Sequence, residues 1–124
     1  MMDYVFRGIN EKDGKWLYGD LVHINDKFYI HTTDNEYCEG KSVIPESVSI
    51  WTGLWSDNKR VFVGDIVKCT NTAGTIHYTG EIIFKGGAFM VKAFIETACG
   101  GYYKERMFND CANIEIVGNI FESR

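Results

Sequence analysis

The 124-residue sequence predicts an all-β protein with at most one short helix. Three observations indicate this class. Side chains alternate with a period of two through most of the chain, aromatic and β-branched residues fill those stretches, and short turns rich in Gly, Asn and Asp separate them. The apolar fraction of 45% is enough for a packed core, and the ordinary composition excludes disordered, collagen-like and coiled-coil proteins.

The first clear strand is "KWLYGDLVHI", residues 15–24. Its alternation places Trp16 and Tyr18 on one face and Leu17 and Leu21 on the other. The following "NDK" is a turn signal, and "FYIHT" then returns as the second arm of a predicted hairpin.

The next segment contains a loop and the only proline of the chain. "DNEYCEGK" is polar and contains glycine, which is typical of a loop. Pro45 has no amide hydrogen, so residues 42–44 are expected to form an edge strand or the end of a strand. Residues 46–50 can begin either a short helical turn or another strand, and the pattern favours the strand.

The second half of the chain repeats the strand-turn pattern. "WSDNKR" is a boundary signal, because Ser, Asp and Asn form hydrogen bonds with their own backbone in place of regular structure. "RVFVGDIVKCT", "TIHYTGEIIFK" and "AFMVKAFI" follow as strands, separated by "NTAG" and "GG" turns, with a looser "ETACGGYYKE" after them. Short strands at this spacing predict a small β-barrel or sandwich.

Two C-terminal segments carry their own predictions. In "YKERMFNDCANI" the residues Tyr103, Met107 and Cys111 recur four apart, which predicts one or two turns of amphipathic helix. The last segment, "NIEIVGNIFES", alternates again and predicts a closing strand, with a bulge or a close backbone approach at Gly118.

One phrase occurs twice, 45 residues apart. Gly19 and Asp20 in "YGDLV" correspond to Gly64 and Asp65 in "VGDIV". Glycine permits a turn or bulge where a side chain would collide, and the following aspartate can accept hydrogen bonds from nearby amides. We interpret these four residues as a structural turn at a strand entrance, used once in each half, and not as a catalytic pair of carboxylates.

Charge and hydropathy argue against two classes of partner, nucleic acids and membranes. The net charge of -4 is spread over the chain without a basic face, which disfavours binding to nucleic acid phosphates. No apolar run approaches the roughly 20 residues of a membrane-spanning helix, and the N-terminus does not resemble an export signal. We therefore expect a cytoplasmic protein with no membrane partner.

The four cysteines, Cys38, Cys69, Cys99 and Cys111, contain no CxxC pair. None of the three histidines follows a zinc-ligand spacing. We expect reduced, mostly buried thiols, no metal site and no cofactor.

Three longer phrases together resemble the YopX family of small phage and prophage proteins. They are "FRGINEKDGKWLYGDLV", "VIPESVSIWTGLWSDNKRVFVGDIVK" and "IEIVGNIFES", and they occur in the family's order over almost the whole chain. The resemblance implies an SH3-like barrel in the later half and a bacterial host cell. It implies no reaction, cofactor or catalytic residue. The resulting division is an N-terminal hairpin-rich unit, 1–57, and a barrel unit, 58–124, which either share one core or form two.

This sequence departs from the family pattern at the "SDNKR" turn. The glycine that the family usually has there is replaced by Asn58 or Lys59, and the acidic residue before the second GD is Val63. Asparagine tolerates the left-handed conformation well, which allows the turn to form.

The preferred functional hypothesis is a non-enzymatic interaction or regulatory module that binds a host or phage protein, or a second copy of itself. The chain has more large aromatic residues than one small core needs, and such residues anchor interfaces. The candidate interface residues are Trp16, Trp51, Trp55, Tyr102 and Tyr103.

Two other hypotheses stay open. A nucleic-acid-associated regulator would use basic and aromatic residues of a small barrel; the candidates are Lys59, Arg60, Lys68, Lys85 and Lys92 with Phe62, Tyr78 or Phe89. An enzyme would need a Cys and a His within hydrogen-bond reach, and a hairpin around "NTAG" would make Cys69 and His77 cross-strand neighbours.

Overall fold

The computed structural model describes residues 4–32 and 40–121, and these contain eleven strands and two single 3-10 turns. The predicted loop at 34–41 lies mostly outside the described residues, as does Cys38. No helix within the described ranges is long and apolar enough to span a membrane. The strands are β1 Phe6–Ile9, β2 Trp16–Ile24, β3 Lys27–His31, β4 Lys41–Val43, β5 Ser49–Ser56, β6 Lys59–Phe62, β7 Asp65–Thr70, β8 His77–Lys85, β9 Ala88–Thr97, β10 Gly100–Met107 and β11 Ala112–Asn119.

The strands form two antiparallel sheets, which confirms the all-β class. One sheet has the order β4-β3-β2-β1-β5-β6 and the other has the order β10-β9-β8-β7-β11. The chain divides into two units, unit 1 up to Trp51 and unit 2 from Thr52 onward. This division comes before the "WSDNKR" segment, because β5 continues to Ser56 and that segment forms the turn between β5 and β6.

In unit 1, β1 is a strand that the periodicity did not predict. It pairs with β2, where Ile9 lies opposite Trp16, and with the start of β5, where Phe6 lies opposite Ile50. Its four residues, FRGI, are too short for a visible alternation and include a glycine. The predicted hairpin of β2 and β3 is confirmed, and both turn residues, Asn25 and Asp26, have positive φ as a tight hairpin turn requires.

The segment after Pro45 combines the two structures that the sequence left open. Pro45–Ser47 forms a 3-10 turn, and the strand begins only at Ser49. The buried Ser47 hydroxyl accepts a hydrogen bond from Ile9 N at 2.8 Å and donates one to Ile44 O at 2.6 Å. The turn is therefore tied to β1 by a buried side chain.

Unit 2 has a core of residues from β6 to β9, with Val61, Val67, Ile82 and Val91 fully buried. The SH3-like barrel is not confirmed. Among the described residues β10 and β11 are the two edges of an open sheet, whereas a barrel requires its first and last strands to pair.

The Gly64-Asp65 turn connects β6 to β7. Gly64 has φ +93, and the buried Asp65 carboxylate accepts a hydrogen bond from Phe62 N at 2.8 Å. Gly64 N donates to Ile82 O, and Gly64 O accepts from Ile120 N, both at 2.9 Å. The second copy of the phrase thus has the geometry of a clamp at a strand entrance.

The structure differs at the first copy. Gly19 and Asp20 lie inside β2 and not at its beginning. A Cβ atom on Gly19 would overlap the His31 carbonyl, so this glycine permits close approach of two strands. Asp20 is exposed and lies opposite His31.

The helix predicted around Tyr103, Met107 and Cys111 is wrong. Tyr103 and Met107 belong to β10, and only Phe108–Asp110 forms a 3-10 turn. These residues recur every four positions because β10 ends at Met107 and a 3-10 turn follows it directly. The bulge predicted at Gly118 is confirmed, because the register of β11 on β7 shifts between Ile116 and Gly118.

The turn between β5 and β6 forms without a glycine. Asp57 has φ 47 and Asn58 has φ 66, so both central residues take the left-handed conformation. Asn and Asp adopt this conformation at lower cost than other L-residues because their short polar side chains form local hydrogen bonds.

We expect Asp65→Ala to lower the free energy of unfolding by about 1–3 kcal/mol, because it leaves the Phe62 N–H buried without this acceptor. The matched control is Asp20→Ala, at the exposed aspartate of the first copy, which should change stability by no more than about 0.5 kcal/mol. Chemical denaturation followed by tryptophan fluorescence measures both. Equal losses for the two variants would contradict the different roles of the two aspartates.

We expect Asn58→Gly to raise the free energy of unfolding by up to about 1 kcal/mol, since glycine has no steric penalty at positive φ. Asn58→Ala should lower it by about 1 kcal/mol for the opposite reason. The same denaturation experiment compares them. An alanine variant as stable as the glycine variant would show that the turn does not depend on the left-handed conformation.

Candidate interaction surface

β10 is an edge strand of the unit 2 sheet. It pairs with β9 in one continuous register, from Gly100 opposite Thr97 to Met107 opposite Met90, with no shift. Seven of its eight residues are exposed and Arg106 is half-buried. A flat, exposed edge of this length offers its main chain to another strand.

The hairpin turn determines which main-chain groups of β10 face outward. Only two residues, 98 and 99, connect the paired residues Thr97 and Gly100, so that pair exchanges both hydrogen bonds. Because such pairs alternate along an antiparallel ladder, Gly101, Tyr103 and Glu105 direct their N–H and C=O groups away from β9. Among the described residues, no recorded hydrogen bond uses these outward main-chain groups.

Aromatic side chains surround this open edge. Tyr103 is 64% exposed, Tyr102 is 52% exposed and Phe94 on β9 is 49% exposed. Phe94 packs edge-on against Tyr103, with ring centroids 5.2 Å apart, and Lys92 Nζ lies 4.9 Å from the Tyr103 centroid. Phe94 also covers Gly101, where a Cβ atom would collide with its ring.

The charges along the same edge are mainly positive. Glu105 forms an ion pair with Lys85 at 3.0 Å and lies opposite Lys92. Exposed pairs of this kind contribute little to stability. Lys104 and Arg106 flank Glu105 on β10, so a partner strand would meet an edge with a net positive charge.

An open apolar pocket lies at the C-terminal end of β10. Its volume is about 510 Å³. It is lined by Thr52, Leu54, Ala88, Phe89, Met107, Phe108 and Cys111. Apolar pockets beside a strand edge are the places where a bound peptide inserts side chains.

The structure brings Tyr102 and Tyr103 together at adjacent positions of β10, on opposite faces of the sheet. Trp55, near the end of β5, is 54% exposed, and the Arg60 guanidinium carbon lies 4.8 Å from its ring centroid. These three candidate interface residues are the exposed ones.

The other two candidates belong to unit 1 and are half-buried. Trp16 lies opposite Ile9, and the Arg7 guanidinium carbon lies 4.5 Å from its ring centroid. Trp51 N donates to Val5 O at 2.8 Å, so the two tryptophans lie at opposite ends of β1. They are less exposed than Tyr103, so more of each side chain is committed to packing within the chain.

The aromatic residues proposed for stacking on nucleic acid bases are mostly in the interior. Phe62 is 2% exposed and Tyr78 is 7% exposed, so neither presents a ring face to a base. Lys68 lies between Glu115 and Thr79 on neighbouring strands. This placement weakens the nucleic acid hypothesis.

The proposed Cys69–His77 pair does not form. Cys69 lies opposite Tyr78, and His77 lies opposite Thr70. Adjacent strand residues point to opposite faces, so the thiol and the imidazole are on different sides of the sheet. His77 is exposed and Cys69 is buried, although both residues contribute to the lining of an open pocket of about 450 Å³.

Burial raises the pKa of the Cys69 thiol from its ordinary value of 9.0 to about 12, with the neighbouring Cys111 adding to the rise and Arg106 opposing it. A thiol with a raised pKa is a poor nucleophile, because the thiolate is the reactive form. Within the described residues, no group of three or more His, Cys, Asp and Glu side chains could hold a metal ion.

Sequence reasoning missed Phe94, Gly101 and Glu105 as parts of this surface. Phe94 sits in "AFMVKAFI", whose pattern resembles any half-buried strand, and a glycine carries no side-chain signal. Nothing in the local sequence shows that β10 is an edge. The surplus of large aromatic residues was the one signal that the sequence offered.

We expect the exposed Cys99 to react with a thiol reagent at neutral pH at least about tenfold faster than Cys69, which should react only after unfolding. Mass spectrometry of labelled peptides measures the labelling rates. Rapid labelling of Cys69 in the native protein would contradict its burial.

The raised pKa also predicts how stability depends on pH. Because the folded pKa of Cys69 is above its ordinary value, the contribution of this thiol to stability is full below pH 9 and is lost as the pH rises toward 12.

Comparison with known proteins gives one finding. The family model described as YopX protein matches residues 5–124, which confirms the resemblance of the three sequence phrases. The comparisons with curated proteins and with solved structures found no significant match. Since the family model covers nearly the whole chain, the protein belongs to the YopX family.

Proposed function

We propose that this protein is a non-enzymatic interaction module that binds an extended segment of another polypeptide along β10. The observation that carries the proposal is the open edge: Gly101, Tyr103 and Glu105 direct their main-chain groups outward over a strand with no register shift. In strand addition, the main-chain hydrogen bonds supply affinity and nearby pockets supply specificity.

The two edges of the unit 2 sheet differ in a way that supports β10 as the binding edge. β11 has two register shifts on β7, and its Ile114 carbonyl accepts a hydrogen bond from the Ser56 hydroxyl at 2.7 Å. Bulges and covering contacts are devices that protect an edge from further pairing. β10 has neither a bulge nor a proline, and its outward positions include Gly101, which has no side chain of its own.

The side chains around β10 fit a peptide of mixed character. Tyr102 and Tyr103 offer large contact areas at a small entropic cost, as interface anchors do. The apolar pocket next to Met107 would accept one apolar side chain of the bound segment. The setting that we propose is the cytoplasm of a bacterial host, with a host protein, a phage protein or a second copy as partner.

A selection from a random peptide library with the wild-type chain as bait tests the proposal. We expect Tyr103→Pro to abolish binding of the selected peptides, because proline removes the outward N–H at the middle of the edge. Tyr103→Ala keeps that N–H and should retain binding, weakened about 3- to 30-fold by the loss of the ring.

Amide NMR shifts on peptide addition locate the site and report whether each variant is folded. The proposal requires shifts concentrated in residues 100–107. Peptides that bind Tyr103→Pro as tightly as the wild type, or shifts confined to another surface, would overturn it.

A further inference from the structure

We infer that the strand which β10 accepts is β10 of a second copy of the chain, paired antiparallel about a two-fold axis through Tyr103. The inference rests on the proposed function and identifies its partner. It follows from the sequence of the edge, GGYYKERM, when that edge is placed against itself.

Symmetry restricts the possible registers. Two identical antiparallel edges are related by a two-fold axis perpendicular to the sheet, which keeps each side chain on its own face. The axis must therefore pass through a residue and its own copy. The possible centres within the strand's middle are Tyr102, Tyr103, Lys104 and Glu105.

Charge excludes two of these centres. An axis at Lys104 places Lys104 opposite Lys104 of the second copy. An axis at Glu105 places Glu105 opposite itself and Lys104 opposite Arg106. Like charges directly opposite each other across strands are destabilising. An axis at Tyr102 avoids this conflict, but it places Glu105 against the hairpin turn and pairs fewer residues.

The axis at Tyr103 pairs every residue from Gly100 to Arg106 and places no like charges directly opposite each other. Tyr103 lies opposite Tyr103, Gly101 lies opposite Glu105, and these are the residues whose main-chain groups face outward. Each such pair exchanges two hydrogen bonds. Between them, Tyr102 lies opposite Lys104, which places an ammonium group beside an aromatic ring.

The arrangement also continues a contact that exists within one chain. Phe94 and Tyr103 are cross-strand neighbours whose rings pack edge-on at 5.2 Å. The second copy would extend this row to four aromatic rings, from Phe94 through the two Tyr103 side chains to the second Phe94. Aromatic cross-strand pairs are among the stabilising pairs of antiparallel sheets.

The test replaces Tyr103, the residue on the proposed two-fold axis, with charged residues. A small interface of this kind belongs to the transient class, so sedimentation is measured from about 10 μM to about 1 mM chain. The wild type should approach twice the chain mass of 14.2 kDa. Tyr103→Lys alone and Tyr103→Glu alone should each remain monomeric, because each places like charges at the axis, and an equimolar mixture of the two should dimerise.

Circular dichroism and thermal unfolding confirm that both variants are folded, and Tyr103→Phe is the matched variant that should dimerise as the wild type does. A wild type that stays monomeric up to 1 mM overturns the second copy as partner. A Tyr103→Lys chain that dimerises by itself also overturns the inference. That result would indicate the register centred on Lys104, in which residue 103 lies opposite Glu105 of the second copy. A monomeric wild type whose peptide binding is lost in Tyr103→Pro leaves the proposed function standing and removes only this inference.

Discussion

The buried hydrogen bond between the Asp65 carboxylate and Phe62 N is the interaction on which the order of unit 2 depends. It closes the turn in which Gly64 has positive φ, and the main chain of Gly64 then contacts β8 at Ile82 and the end of the chain at Ile120. One turn therefore positions four segments. A buried carboxylate is costly unless it is hydrogen-bonded, so Asp65 is stable in this position only while the turn keeps its geometry.

The same turn also makes the two edges of the unit 2 sheet different from each other. β11 is held from outside its ladder, by Gly64 through Ile120 and by the Ser56 hydroxyl through Ile114. β10 is held by β9, by the exposed ion pair of Glu105 with Lys85, and by the packing of Arg106 over Tyr78, at 4.6 Å from the ring centroid. The edge of β10 is thus the less protected of the two, and the binding proposal follows from this asymmetry.

Turns were the most predictable features because their causes are local. Asn25-Asp26 and Gly86-Gly87 take positive φ for reasons contained in those residues themselves, and each connects the strands that the alternation indicates. The doubled phrase was less informative than it looked. Asp65 is buried at a turn, whereas Asp20 is exposed within a long strand, because the neighbouring strand at His31, and not the phrase itself, determines what Gly19 does.

The candidate surface was predictable only in part. An excess of large aromatic residues pointed to Tyr102 and Tyr103, but the same argument named Trp16, which is half-buried beside Arg7. The helix expected from Tyr103 to Cys111 would have removed the edge altogether. Periodicity over a few residues cannot separate a strand that ends in a 3-10 turn from a short helix, since both place residues four apart on one side.

By itself, the sequence determined the family, the all-β class and the hairpin turns, because these depend on residue types and on their spacing along the chain. Only the tertiary structure decided which strand is an edge, which face each residue takes and which main-chain groups face outward. The pairing of β10 with β9 depends on a register in which a slip of one residue would reverse every side chain. That register turns the main-chain groups of Tyr103 toward the open edge. The register of β7 on β8 likewise sends Cys69 and His77 to opposite faces.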